Sequence, residues 1–379
     1  MKKPVFLIAF IALALIPIAQ EIQHEAIAIN IEVPVRVFES GKFVDNLTIE
    51  DFEIYEEGVL QNIEAVYFIR KTEIKRKEIK KKEIKKKEEK EIEFSPNLSR
   101  TFVLMFEIIE YLPKIDEVLD YFFESVIRPG DSLIISTPTD TYNLNSKALE
   151  RVSREEIASQ LKKKVRKETI LASSEYRSLL RHIREIAEND MPVPGGLSDA
   201  LRRLKDLTYF DAKRAADFAD FLKAIDGQKQ VFFFFQKREM PIPKDLPGLA
   251  RIALSSDTSL DVDKLKQAFS DSSISCHFLY ITKAFRVGEG RERSGMEQLE
   301  SAMETFRGFS QMAKVTGGLI DSSANASASF ERAVDYSESY YLLYYSPKNY
   351  KADGKFKTIK VKVKGKNYRV THRAGYIAD

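Results

Sequence analysis

The chain has 379 residues, 44% of them hydrophobic and 31% charged, with a net charge of +3. That length suggests two or three domains, and the near-neutral balance argues against a dedicated nucleic-acid binder. The single cysteine, Cys276, excludes an intramolecular disulfide and a cysteine zinc site.

Lys2 and Lys3 precede an apolar run from Val5 to Ala19, interrupted only by Pro17 and ended by Gln20, Glu21 and Gln23. This is the layout of a secretory signal peptide, and it is short for a bilayer span of roughly 20 residues. Residues 1–20 are therefore expected to be a signal, with no stable membrane span after cleavage. Retention as an anchor is the alternative. The expected location is periplasmic or secreted.

Residues 21–69 carry strand patterns. Apolar residues alternate from Ile29 to Val37, again over Asp51–Tyr55, and a third run covers Asn62–Phe68. Ser40-Gly41 and Glu57-Gly58 mark turns. The segment is too short to bury a core alone. Residues 70–97 read as a linker. Between Arg70 and Glu93 there are 12 Lys/Arg against 7 Glu, and a Glu-Ile-Lys unit recurs every five residues. Five residues advance a helix by about 140°, so the isoleucines form no single stripe. A solvated tether or helical spacer is expected, with an electrostatic patch for anionic polymers or lipid as the functional alternative.

From residue 98 to 337 strands alternate with helices. Thr101–Phe106 is a continuous apolar run, as a strand buried on both faces requires. Ile115, Val118, Leu119, Phe122, Phe123 and Val126 form one helical stripe, broken at Pro129-Gly130. Ser132–Ser136 is a further buried strand. Ser153 with Glu156 makes a capping box. Helical patterns cover Glu175–Glu188, Ser198–Leu207, Ala212–Ile225, Met296–Val315 and Phe330–Ser337. Val231–Phe235, Ser275–Ile281 and Leu319-Ile320 read as strands. The alternation predicts an α/β fold with a doubly wound, mostly parallel sheet. Residues 338–379 return to strand patterning at Tyr340–Tyr345, Phe356–Lys364 and Tyr368–His372. They are expected to pair with residues 21–69 in a small all-β sandwich.

Motifs of catalysis are missing from the chain. It has no G-x-S-x-G elbow, P-loop, dinucleotide glycine pattern or H-E-x-x-H. Its four histidines, His24, His182, His277 and His372, lack ligand spacing. Cys276 and His277 are strand neighbours, so they point to opposite faces and read as core residues rather than as a Cys–His pair.

Three stretches together resemble the von Willebrand factor A-related proteins of the acidobacterial exported type. The first runs from Val33-Pro34-Val35-Arg36-Val37 through Leu47 to Gly58. The second is Arg100–Phe106 with Pro129-Gly130-Asp131. The third is Thr316-Gly317-Gly318, then Tyr340–Pro347, Asp353-Gly354-Lys355-Phe356-Lys357 and Arg373-Ala374-Gly375-Tyr376. The resemblance implies a von Willebrand factor A-like domain over 98–337 and a metal site of D-x-S-x-S type at its sheet edge. Here those positions read Glu107, Ile109 and Tyr111. Leu197-Ser198 stands where a threonine is expected, and Gln236 where an aspartate is. Isoleucine cannot ligate magnesium, so a degenerate, metal-free site is expected, with no cofactor and no enzymatic activity. Glu107, Glu110, Tyr111, Ser198 and Gln236 are the candidate partner-binding residues. The expected role is an exported protein–protein interaction or adhesion-type module, its partner an unknown protein in the envelope or outside the cell. The alternatives are an envelope-surface structural protein and a hydrolase with an unrecognised site.

Overall fold

The computed structural model describes residues 29–80, 95–137, 139–188, 199–204, 212–236, 241–243, 262–282, 296–298, 301–365 and 367–379. The expected signal at 1–20 and most of the expected linker lie outside the described residues. The chain is a mixed α/β protein with several sheets. Among the described residues no helix is long and apolar enough to cross a membrane.

The larger α/β part is built on β7 (Arg100–Glu107), β8 (Ser132–Ser136), β9 (Thr141–Leu144), β10 (Gln228–Phe235), β12 (Ile274–Ile281) and β14 (Ile320–Ser323). Their order across the sheet is β14-β12-β10-β7-β8-β9. All neighbours are parallel except β8 and β9. Side chains alternate between two cores, as the pleat requires. Phe102, Leu104, Phe106, Phe232 and Phe234 face α1 (Lys114–Tyr121), α3 (Arg154–Glu188) and α7 (Ala326–Ser337). Val103, Val231, Phe233, Cys276 and Phe278 face α4 (Ala212–Lys223), α5 (Val262–Asp271) and α6 (Ser301–Val315). A short α2 (Ser146–Arg151) joins β9 to α3.

Besides a two-stranded pair of β11 (Pro241–Pro243) and β13 (Met296–Gln298), two further sheets hold the N- and C-terminal segments. One runs β17 (Arg369–His372), β1 (Ile31–Glu39), β15 (Ser339–Tyr345), β5 (Ile63–Arg70), β6 (Glu73–Ile79), with β2 (Lys42–Phe43) on β1. The other runs β18 (Gly375–Ile377), β16 (Phe356–Val363), β3 (Phe52–Glu56), β4 (Val59–Gln61). Their facing side chains form one core: Val33, Val35, Tyr341 and Leu343 from the first, with Ile54, Ile359 and Val361 from the second. N- and C-terminal segments thus pair, as β1 with β15 and β3 with β16.

Residues 73–79 correct the linker expectation. They form edge strand β6 on β5 rather than a solvated spacer. Arg76 donates to the Leu47 and Asp45 carbonyls, and the Glu78 carboxylate accepts the Ile49 N–H at 2.8 Å. Lysine-rich sequence suits an edge, where charge discourages pairing with another chain. The helix expected over Met296–Val315 is also shorter. Met296–Gln298 pairs antiparallel with Pro241–Pro243, and α6 starts at Ser301.

Two sequence signals of the C-terminal third, Thr316-Gly317-Gly318 and Arg373-Ala374, lie at a seam between the two parts. Thr316 Oγ1 accepts the Cys276 N–H at 3.0 Å. A Cβ on Gly318 would fall 1.9 Å from the Cys276 carbonyl oxygen, so only glycine fits. The Ala374 N–H donates to Val315 O at 2.7 Å, and Arg373 Nη1 to Ser273 Oγ at 2.6 Å. Arg36, buried, reaches across from β1 to Ser275 Oγ at 3.3 Å and lies over the rings of Tyr336 and Tyr340. All of these contacts sit at the N-terminal ends of β12 and β14. The C-terminal ends of the parallel strands face the other way.

The Pro129-Gly130-Asp131 signal is also structural. The buried Asp131 carboxylate takes Arg100 Nε at 3.0 Å and Nη2 at 2.6 Å, and also the Arg128 N–H at 2.7 Å. Asp131→Ala leaves that guanidinium buried without its partner. The expected cost is about 3–5 kcal/mol, read from urea unfolding; a loss under about 1 kcal/mol would mean the pair contributes little.

His277 is fully buried, stacks on Phe232 and accepts the Leu319 N–H on Nδ1 at 3.2 Å. Burial, with the nearby Arg36 charge second, holds its pKa well below the usual imidazole value. The unfolded chain takes up the proton below about pH 6.5 while the folded chain does not, so stability is full above that pH and lost as pH falls through it. Unfolding free energy measured between pH 7 and 5 is expected to drop, and His277→Asn, which can keep an acceptor, is expected to flatten the slope.

Candidate functional site

The geometry of the C-terminal sheet edge follows from strand order. β7 and β10 are neighbours, but the helices that follow them cover opposite faces. The crevice between their C-terminal ends is where open α/β sheets bind ligands. Glu107 ends β7, with Ile108, Ile109, Glu110 and Tyr111 behind it. Gln236 directly follows β10.

Gln236 closes the crevice. It is 2% exposed. Its N–H donates to Glu107 O at 3.1 Å, and its Oε1 accepts from the N–H groups of both Ile109 and Glu110 at 2.9 Å. One carboxamide oxygen thus satisfies two backbone donors that strand geometry leaves unpaired. Four of the five candidate residues, Glu107, Glu110, Tyr111 and Gln236, are brought together here. Ser198 lies outside the described residues.

These donors do not suit a divalent cation. Ile109 offers no side-chain ligand. The Tyr111 hydroxyl donates to Asp116 Oδ1. Burial, then that carboxylate, pushes the Tyr111 pKa upward, so it stays a neutral phenol. The Gln236 oxygen already faces two donors. Among the described residues no group of three or more His, Cys, Asp or Glu side chains could hold a metal.

Beside the loop opens a cleft of about 360 Å³. One wall is Glu110, Tyr111, Pro113 and Asp116. The other is helix α3, through Arg166, Ile170, Ser173 and Arg177. Those four recur at 0, 4, 7 and 11, one helical stripe. Helix α3 reaches this height because β9 is antiparallel and returns the chain to the N-terminal end of the sheet. There Arg154 Nη1 donates to Phe123 O at 3.4 Å. The helix then climbs until Glu168, buried, accepts from Thr137, which follows the C-terminal end of β8, and from Tyr142. The remaining residues to Glu188 rise ~30 Å above that point at 1.5 Å each. Glu175 pairs there with Arg203 of the helical segment 199–204 at 2.5 Å.

The sequence reading missed this wall. It placed helices at Ser153 and at Glu175–Glu188 without joining them, so Arg166 and Arg177 were not seen to share a face. The stripe spacing was the available signal.

No family model matches the chain, and no curated protein matches it. A solved structure of the human COPII-coat protein Sec24c is similar over 74% of this chain and 43% of its own, at 7% identity and a TM-score of 0.33. The chain therefore spans less than half of that protein's chain, and a likeness of this strength assigns neither family nor function.

The Gln236 bonds make a local prediction. Gln236→Ala strips the acceptor from two amides. Stability should fall by about 1–3 kcal/mol, and hydrogen exchange at Ile109 and Glu110 should accelerate relative to the strand before them. Unchanged exchange at both amides would mean the loop is held by other contacts.

Proposed function

We propose that this chain is an exported, non-enzymatic binding module of the von Willebrand factor A type. Its partner is a protein, engaged without a metal ion at the C-terminal edge of the parallel sheet. The α/β part is a doubly wound A-like domain, and the paired terminal segments are a β-sandwich that carries it.

The observation that carries the reading is the Gln236 carboxamide on the Ile109 and Glu110 amides. It supports a loop set rigidly by hydrogen bonds at the place where such sheets bind ligands, with a side chain unsuited to a cation. Three further features support it. The sheet order places an antiparallel edge strand third and the crevice between first and fourth. The β-sheets meet the opposite end, which leaves the C-terminal edge facing away from them. The long helix α3 adds a wall beside the loop.

Two measurements test it. A cation bound at 100 times its dissociation constant would stabilise the fold by about 2.7 kcal/mol. The expected melting midpoint is therefore the same in EDTA and in excess Mg²⁺ or Mn²⁺. A rise that Glu107→Ala abolishes would overturn the metal-free site. Photo-crosslinkers placed at Tyr111 and Ile170 in cells are expected to trap the same partner, and one at Arg151, at the other end of the sheet, to trap none. Equal capture from all three positions would sink the edge as the binding surface.

A further inference from the structure

The cleft between the first strand loop and helix α3 has a polarity that specifies its occupant. On the helix wall the described partners of the two arginines are neutral. Arg166 lies 5.8 Å from the Tyr111 ring centroid, and Arg177 Nη2 donates to Ser173 Oγ at 3.0 Å. Both side chains are exposed, and Ile170, 48% exposed, stands between them. The carboxylates of this neighbourhood line the facing wall. Asp116 takes the Tyr111 hydroxyl, and Glu110 stands at the rim. The helix wall thus offers guanidinium, methyl and guanidinium groups in sequence.

The spacing sets the length. Arg166 and Arg177 are 11 positions apart, a rise of ~16 Å along the helix. Extended chain covers that distance in about five residues. Guanidinium recognises carboxylate through paired, charge-assisted N–H···O bonds. The exposed Ile170 side chain adds apolar contact midway. A phosphate or a lipid headgroup would meet the arginines but leave the Ile170 surface unused.

From this we infer that the cleft binds an extended acidic peptide segment of the partner, carrying a carboxylate at each end of about five residues and an aliphatic side chain between them. The inference rests on the binding-module reading above and names the chemistry of its partner. Arg166 and Arg177 are its anchors, and the Gln236-fixed loop is the rigid facing wall.

Selection of a random peptide library on the full chain tests it, followed by titration of the enriched peptides. Enriched peptides are expected to carry two acidic residues flanking an aliphatic one. They should bind Arg166→Gln and Arg177→Gln at least about tenfold more weakly, lose affinity with added salt, and lose it again when their acids become amides. Both substitutions are at exposed positions, and an unchanged melting midpoint shows the fold intact. Peptides that crosslink at Tyr111 yet bind the arginine variants as well as the parent would overturn the inference and leave the binding module standing. Failure to enrich any peptide would overturn both. Tighter binding of inorganic phosphate or of phosphatidylglycerol vesicles than of any acidic peptide, lost in the same variants, would replace the peptide with an anionic headgroup.

Discussion

Every residue of the strand from Tyr340 to Tyr345 is buried, and the rest of the molecule is arranged around that fact. Tyr341, Leu343 and Tyr345 point into the core between the two β-sheets. Tyr340, Leu342 and Tyr344 point to the other side, with Tyr67 and Ile69. The strand pairs with β1 on one edge and β5 on the other. A single residue, Glu338, separates it from helix α7 of the parallel-sheet core. There is no slack in that connection, so the two parts cannot take up independent positions. The glycines at 317 and 318 enforce the same closeness from the other side. A Cβ on Gly317 would sit 3.1 Å from the His372 backbone nitrogen, and one on Gly318 would overlap the Cys276 carbonyl. Thr316-Gly317-Gly318 and Arg373-Ala374 are, physically, requirements of this seam.

That seam also explains why the candidate site is where it is. The β-sheets cover the N-terminal ends of the parallel strands through Arg36, Arg373 and Ala374. The C-terminal ends face the other way, and there the first loop needs an acceptor for its amides. In a metal-binding edge, acidic and hydroxyl side chains turn their oxygens toward a cation. At this edge the Gln236 oxygen turns toward the chain itself. The loop's shape is thus fixed by hydrogen bonds made on folding. A loop that is already ordered costs less conformational entropy when it binds.

Much of this was legible from residue patterns, and the gaps have physical causes. Runs buried on both faces, Thr101–Phe106, Val231–Phe235 and Tyr340–Tyr345, announced themselves because no polar residue interrupts them. The alternation at Ile29–Val37 announced a half-buried strand for the opposite reason. Strand β6 was hidden because its charges suit an edge as well as a linker. Its strand state depends on partners such as Ala65 and Tyr67, which composition does not reveal. Strand β9, Thr141–Leu144, is four residues long and only partly buried, below the length at which periodicity speaks. The single helix α3 was hidden by its own surface. Between Lys162 and Lys167 five of six residues are charged, which reads as an interruption, yet Leu161, Val165 and Glu168 continue the buried stripe beneath them.

The candidate site repeats that division. Glu107, Glu110, Tyr111 and Gln236 could be grouped from the sequence because the family resemblance places them together at one sheet edge. Arg166 and Arg177 could not, because their place depends on how far α3 climbs. That height is set by Glu168, which anchors the helix to Thr137 through a buried hydrogen bond and to Tyr142 through a partly buried one. A buried carboxylate is tolerated only where its oxygens are satisfied, and here both are. The anchor therefore fixes which turn of the helix stands level with the Tyr111 loop. Moving the helix by one turn, about 5.4 Å, would withdraw the Glu168 oxygens from both donors and carry Arg166 off the Tyr111 ring. The facing walls of the cleft hold their register because a buried polar group beneath them has no second place to go.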